Sequence, residues 1–439
     1  MKKLITTFKN IFAIEDLRIR ILNTLGFIAI FRLGSYVVLP GVDPNRLQSN
    51  SQGIFGLLDT LLGGAFSNAS IFALGIMPYI SASIVLQLLT IAVPYFQKLQ
   101  KEGESGRKKI NQYTRVLTIA ITAAQSFGFI QTINAEAIVV DPFWFTISSI
   151  FILTAGTVFC MWLGEKITDK GIGNGISMLI MIGIASRLPG AIIAEALSKR
   201  LNGALIFILE LIILYFVVMA VVMLTQAIRR IPIQYAKQVG GTTQYSGQRQ
   251  FIPLKVNAAG VMPIIFAQSL MFLPSLIASI WRDTSDMANY IGTTFSDYTS
   301  WQYNLLFGLL ILVFTYFYTA ISVNPDQISN DLKRSGGFIP GIKPGLATSE
   351  FIGGILDRIT LPGAIFLAVI AILPSIAMLL GVTREFSAFF GGTSLIIMVG
   401  VVLDTINQVE SYLLMKHYDG MMKSGKLKGR SQNNIAMAS

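Results

Sequence analysis

Charged residues are scarce in this chain. Of its 439 residues only 13% are Asp, Glu, Lys or Arg, where a soluble domain carries about a quarter. There is one cysteine, Cys160, so an internal disulfide is excluded. There is one histidine, His417, with no His or Cys companion, so no zinc ligand set is in view. The sequence has no G-x-x-x-x-G-K-[ST] phosphate cradle, and "GESGRKK" lacks its spacing. "GIGNGIS" (171–177) follows a charged turn rather than a strand and lacks the third-glycine spacing of a dinucleotide fingerprint, so it reads as a tight turn opening a helix. "MKKLITTFKN" is basic, but no short apolar region with a small-residue cleavage site follows, and no cleavable signal peptide is expected. No cofactor is expected.

What the chain has instead is apolar sequence: 53% hydrophobic residues and a mean hydropathy of +0.63. It comes in blocks of about 20 residues, the length that crosses a hydrocarbon core. Ten blocks can be drawn, at about 21–39, 71–96, 116–134, 143–164, 173–192, 203–228, 258–280, 303–323, 361–380 and 391–415, the second and fifth being the least regular. The runs are continuous rather than alternating, which argues against a β-barrel. The expected fold is an all-α polytopic membrane protein. With a cytoplasmic N-terminus, 27 of the 34 Lys and Arg fall in cytoplasmic segments. Six fall in outer loops (Arg46, Arg187, Lys199, Arg200, Arg282, Arg384), and Arg32 lies within the first span. The positive-inside rule then puts both termini in the cytoplasm. Contact with anionic lipid accounts for much of the net charge of +11, but not for two long loops at 229–257 and 324–360.

An internal repeat organises the spans. "ALGIMPYI" (73–80) in the second block matches "AAGVMPII" (258–265) in the seventh. The copies are five spans apart, so they cross the membrane in opposite directions. Gly/Pro-interrupted helices at equivalent places in two inverted halves point to the functional centre. Irregular backbone is tolerated in a membrane only against protein or a wet cavity, so Gly75–Pro78 and Gly260–Pro263 are expected to face the middle of the bundle. Just before the first copy, "LLGGAFSNA" is too short and mixed to span, and is expected to be re-entrant. Arg32, Glu210 and Asp404 are the charges read inside spans; they are too scattered for a proton relay.

Six stretches carry a resemblance: "GGAFSNASIFALGIMPYISASI", "KEGESGRKKINQYTR", "MWLGEKITDKGIGNGIS", "PLKVNAAGVMP", "GGFIPGIKPG" and "FGGTSL". Over nearly its whole length the chain resembles the SecY family, the central subunit of the bacterial Sec translocase. The resemblance implies ten transmembrane helices in two inverted-repeat halves of five around a central pore. The implied division is a cytoplasmic tail at 1–20, an N-terminal half at 21–200, a C-terminal half at 201–415 and a cytoplasmic tail at 416–439. It implies a protein-conducting channel that translocates unfolded secretory proteins across the bacterial inner membrane and releases transmembrane segments sideways into it.

Residue by residue, the resemblance implies a pore ring of Ile76, Ile80, Ile176, Ile180, Ile265 and Ile397. It implies a plug over about 57–72, centred on Leu62, Gly63, Gly64, Ala65, Phe66, Ser67 and Asn68, whose small residues pack without locking. A polar patch at the lateral gate would pair Gln87 with Asn257, a hydrogen bond of roughly 1 kcal/mol in a membrane. Arg229, Arg230, Lys237, Arg249, Lys333, Arg334 and Lys343 would meet a motor or ribosome. The loop "QYAKQVGGTTQYSGQRQFIPLKV" reads as a Gly-turned hairpin. Two departures stand out: Thr242 and Thr243 occupy the tip where the family usually has an arginine pair, and Lys343 replaces an arginine, keeping charge but losing the planar fork.

The implied partners are SecE-like and SecG-like small membrane subunits, the SecA motor ATPase, the ribosome, signal peptides and nascent chains, and membrane lipids; the chain itself is expected not to be an enzyme. An ion-coupled transporter would instead show mid-membrane coordinating groups and short loops. A non-conducting assembly factor would lack interrupted helices at equivalent positions.

Overall fold

Nine of the ten apolar blocks overlap helices, and the tenth, block 258–280, is helical from 262 in its described part. The computed structural model describes residues 12, 14–47, 62–131, 133, 135–199, 203–235, 239–240, 243–244, 250–268, 270–271, 290, 294, 297 and 299–423. In chain order the helices are α1 (Glu15–Gly34), α2 (Met77–Ala92), α3 (Pro94–Lys101), α4 (Glu104–Ile130), α5 (Pro142–Lys170), α6 (Gly175–Lys199) and α7 (Ala204–Gln226). Then come α8 (262–268), α9 (Trp301–Ser322), α10 (Pro325–Arg334), α11 (Leu346–Leu379), α12 (Arg384–Ser387) and α13 (Gly392–Lys423).

By length and composition α5, α6, α7, α9 (taken with α10), α11 and α13 can each cross a membrane, and α2 with α3 forms a further broken span bent by 100°. α7 is apolar around most of its circumference. Glu210 and Val221 are buried, and Val217, Val218, Val222 and Leu224 are partly buried against the core; the remaining apolar face of such a helix meets lipid. α1 and α4 are more polar. α1 carries Arg18, Arg20 and Arg32. α4 carries a buried hydroxyl ladder, in which Thr118, Thr122 and Ser126 donate to the carbonyls of Thr114, Thr118 and Thr122 at 2.6–2.7 Å. Each hydroxyl is satisfied within its own helix. The protein is a helical, multi-pass membrane protein.

Local chemistry sets the helix starts. The Asp141 carboxylate accepts from the Phe143 amide at 2.9 Å, with Pro142 at the first helical position of α5. Asn324 caps α10 in the same way, ahead of Pro325. The expected tight turn at 171–174 is present: the Asn174 side chain accepts from the Ile176 and Ser177 amides. That turn is also a tie-point, since Gly173 N–H donates to Gln408 of α13 and Ile172 N–H to Thr24 of α1.

Four expectations need correction. The second block breaks at Val93–Pro94, where Val93 is extended and Pro94 starts α3, and not at Gly75–Pro78. Gly75 and Pro78 begin α2 instead of breaking it, because a proline in the first turn forfeits an amide that has no helical partner anyway. The fifth block is regular, forming α6 through Pro189. Arg187 and Lys199 belong to α6 rather than to an outer loop, and the segment expected to be loop until 360 is helical from Leu346.

The expected hairpin forms: β1 (Ile228–Tyr235) pairs antiparallel with β4 (Gln250–Lys255), Arg229 opposite Leu254 and Ile231 opposite Ile252. β2 (Val239–Gly240) and β3 (Thr243–Gln244) pair beyond them. β5 (Gly337–Phe338) adds to the other side of β1, Phe338 opposite Gln234, so strands from both long loops share one sheet in the order β4-β1-β5. Ile231, Ile233, Leu254, Leu332, Ile339, Ile352 and Leu356 form a core beneath it.

Candidate functional site

The two copies of the repeat fold alike. Gly75 has φ +50 and Gly260 φ +64, a left-handed conformation open to glycine. Two residues after each glycine a helix begins, α2 at Met77 and α8 at Met262. The amide of Ile80 then donates to the Ile76 carbonyl at 3.1 Å, and that of Ile265 to the Val261 carbonyl at 3.3 Å.

The six isoleucines come together. Ile76 and Ile80 are buried in a cluster with Phe31, Leu179 and Phe266, against which Ile176, Ile180 and Ile265 pack. Ile397 is buried in an adjoining cluster, against which Ile180 and Ile265 also pack. Ile180 and Ile265 therefore join the two clusters, and α2, α6, α8 and α13 meet on aliphatic side chains. Val261 also belongs here, packed against the cluster of Ile397. It was missed in the sequence although it is the repeat partner of Ile76, which was the signal for it.

Beside this apolar knot lies the segment 62–76, built of turns. Leu62, Gly64, Ala65, Ala69 and Ser70 are buried, while Gly63, Phe66, Ser67 and Asn68 are partly so. The segment is fastened along both edges. Leu39 N–H donates to the Ala69 carbonyl and Ile71 N–H to the Val37 carbonyl, each at 2.9 Å. Phe66 meets Phe129 edge-on, centroids 4.7 Å apart. Phe72 stacks between Phe31 and Phe159. Two arginines reach it as well: Arg32 Nη1 donates to the Gly63 carbonyl at 3.4 Å, and Arg187 Nη2 to Ser67 Oγ at 3.2 Å. Small residues here do not leave the segment unlocked; they let neighbours hold it closely.

The charges read inside spans have distinct fates. Arg32 lies over the Tyr36 ring and holds Gly63. Asp404 is exposed on α13. Glu210 is buried with Lys199, whose ammonium stands 2.9 Å from it, 3.4 Å from Glu195 and 2.8 Å from the Gly381 carbonyl. Glu195 in turn accepts from the Thr383 amide at 2.8 Å and from its hydroxyl. This network joins the end of α6, the start of α7 and the turn before α12, and its Glu195 and Lys199 were not singled out from sequence. Among the described residues, no three His, Cys, Asp or Glu side chains are placed to hold a metal ion.

Among the described residues, the two expected at the gate are not hydrogen-bonded to each other. Asn257 is buried with its Oδ1 unpartnered. Gln87 uses its backbone carbonyl, accepting from Thr90. On the loop side, Arg229 and Arg230 are exposed on β1, Lys333 and Arg334 in the last turn of α10, and Lys343 beyond β5. Lys237, Arg249 and Thr242 lie outside the described residues. A cleft of about 820 Å³ opens between the hairpin base and α10, with Lys255, Gln327 and Asp331 among its polar lining.

Comparison with known proteins fits this arrangement. The SecY family model matches residues 70–406. The Protein translocase subunit SecY of Streptomyces coelicolor is 43% identical over 439 residues, spanning 96% of this chain and all of that one. A solved structure described as a protein conducting channel superposes with a TM-score of 0.62 at 17% identity, covering 96% of this chain and 95% of that chain. Sec61 in a canine ribosome-channel complex from the endoplasmic reticulum does so with a TM-score of 0.59 at 16% identity, covering 96% and 95%.

Proposed function

The chain belongs to the SecY family, and from that premise we propose that it is the protein-conducting subunit of a translocation channel. It passes unfolded secretory proteins across the bacterial cytoplasmic membrane and releases transmembrane segments sideways into it. The observation that carries this reading is the meeting of Ile76, Ile80, Ile176, Ile180, Ile265 and Ile397 from four helices of both halves. Aliphatic side chains at a constriction resist wetting and so present a barrier to ions. They form no hydrogen bonds, so they can part around any sequence and close again. Residues 57–72 act as the plug on the outer side of this ring, the halves 21–200 and 201–415 move apart to open it, and Gln87 and Asn257 stand at the lateral gate.

Both termini, 1–20 and 416–439, lie in the cytoplasm on this reading, supported by the distribution of Lys and Arg. The loops carrying Arg229, Arg230, Lys237, Arg249, Lys333, Arg334 and Lys343 receive the ribosome or a SecA-type motor through phosphate or acidic surface. ATP hydrolysis belongs to that motor, and the channel subunit supplies the path. SecE-like and SecG-like subunits complete the assembly in the lipid.

The test is reconstitution of the chain with its small subunits in liposomes, with the motor, ATP and a signal-bearing precursor. Protease protection that requires both ATP and the signal is expected. Its absence with an intact complex and several precursors would overturn the reading.

A further inference from the structure

An ionisable side chain inside a membrane bundle is costly and calls for a function with a named partner. Arg32 on α1 and Arg187 on α6 both direct their guanidinium groups onto one short segment. Arg32 Nη1 lies 3.4 Å from the Gly63 carbonyl, and Arg187 Nη2 lies 3.2 Å from Ser67 Oγ. Ser67 Oγ donates in turn to the Gly64 carbonyl at 3.2 Å, so Arg187 holds the same turn as Arg32.

The glycines make this approach possible. A Cβ on Gly63 would stand 2.5 Å from Arg32 Nη1 and 2.7 Å from the Gly183 carbonyl of α6; one on Gly64 would stand 2.8 Å from Arg187 Nη2. Both glycines also have positive φ, +64 and +92. The pair Gly63–Gly64 is therefore shaped to the two arginines as well as to its own turn.

We infer that Arg32 and Arg187 are a two-armed latch that holds segment 62–68 shut over the pore, an inference that rests on the channel reading above. The Gly63 carbonyl and the Ser67 hydroxyl lie on one turn, so the two arms close on the same few residues. At 3.2 and 3.4 Å both contacts lie at the long end of hydrogen bonding, as a reversible hold requires. The segment also carries its own drive to leave. Ala69, at its end, has φ +44, and it is the one non-glycine residue at positive φ among the described residues. Such backbone persists only where surroundings enforce it, here the Leu39 N–H bonded to its carbonyl and the Phe66 carbonyl accepting from its amide.

The test is resting conductance in planar bilayers, using the complete channel complex. Four forms are compared: unmodified, Arg32→Gln with Arg187→Gln, a deletion of 62–68, and the substitutions combined with the deletion. The double substitution is expected to open about tenfold more often at rest, equivalent to ~1.4 kcal/mol. In the deleted background the same substitutions are expected to change nothing, because nothing is left to hold. Gly64→Ala, which leaves both arginines in place, should raise resting opening too and decides the matter should the double variant assemble poorly. An unchanged double variant beside a leaky deletion would overturn the latch and leave the channel standing. An equal rise with and without the plug would also overturn it, placing the arginines in the pore wall. A deletion that does not conduct would overturn the channel reading itself, and the latch with it.

Discussion

Ile80 and Ile265 are structural equivalents: each lies five residues after a glycine of positive φ, and each amide donates to the carbonyl four residues back, of Ile76 and Val261 respectively. They stand on α2 and α8, one from each half, and meet in one aliphatic cluster. Replacing both with Ser should let water into the constriction. Resting ion conductance is expected to rise by about tenfold or more, the factor for ~1.4 kcal/mol off a barrier. Bilayer recordings with no change would remove these two side chains from the seal.

Lys343 is exposed just past β5, with its carbonyl accepting from Thr348 Oγ1 at 2.9 Å. The backbone is thus fixed while the side chain is free to meet a partner. Lys343→Glu reverses a rim charge, which acts mainly on encounter rate. Motor-driven protection of a precursor should slow by roughly tenfold, with the deficit shrinking as salt rises. A variant that exports at the normal rate at low salt would show that the docking surface lies elsewhere.

The network of Glu195, Lys199 and Glu210 is a buried ionic triad. Lys199→Met strands two carboxylates and is expected to cost about 3 kcal/mol of stability, read as a lowered unfolding midpoint of the purified complex. Adding Glu195→Gln and Glu210→Gln should recover most of the loss, since the penalty comes from the unpaired charges. Recovery by neither acid substitution would mean that packing around the Lys199 stem, not charge, is what the site needs.

Asn257 keeps a buried, unpartnered Oδ1. Removing such an acceptor relieves a desolvation penalty of about 1–3 kcal/mol. Asn257→Leu should therefore raise the unfolding midpoint and favour the closed state, slowing signal-driven opening. A lowered midpoint would reveal that the assembled complex supplies Oδ1 with a partner.

Much of this architecture is legible in the sequence, for physical reasons that also mark the limit. Hydropathy locates spans because the bilayer demands length and apolarity alone. It located α5, α7 and α9 within a few residues, but placed α11 fifteen residues late, since its first turns are amphipathic and packed under the sheet through Ile352 and Leu356. Counting charge by loop put Arg187 outside although the apolar block drawn at 173–192 contains it; in the fold it lies within α6 and reaches inward to Ser67. The six clustered isoleucines came from motif resemblance, and no periodicity would distinguish them from lipid-facing ones. The Gln87–Asn257 bond is absent among the described residues; pairing across helices depends on their rotation, which composition does not encode. β5 was invisible: two residues, paired about a hundred positions away.

That last strand has a mechanical meaning. β1 and β4 are rooted in α7 and α8, while β5 follows α10, which is rooted in α9. A ligand that grips either protrusion therefore pulls on a crossbar spanning three helices of one half, and the torque is shared among them. The two residue pairs of the β1–β5 seam are the crossbar's weakest weld. Where that weld holds, the protrusions tilt as one handle; where it parts, each twists alone.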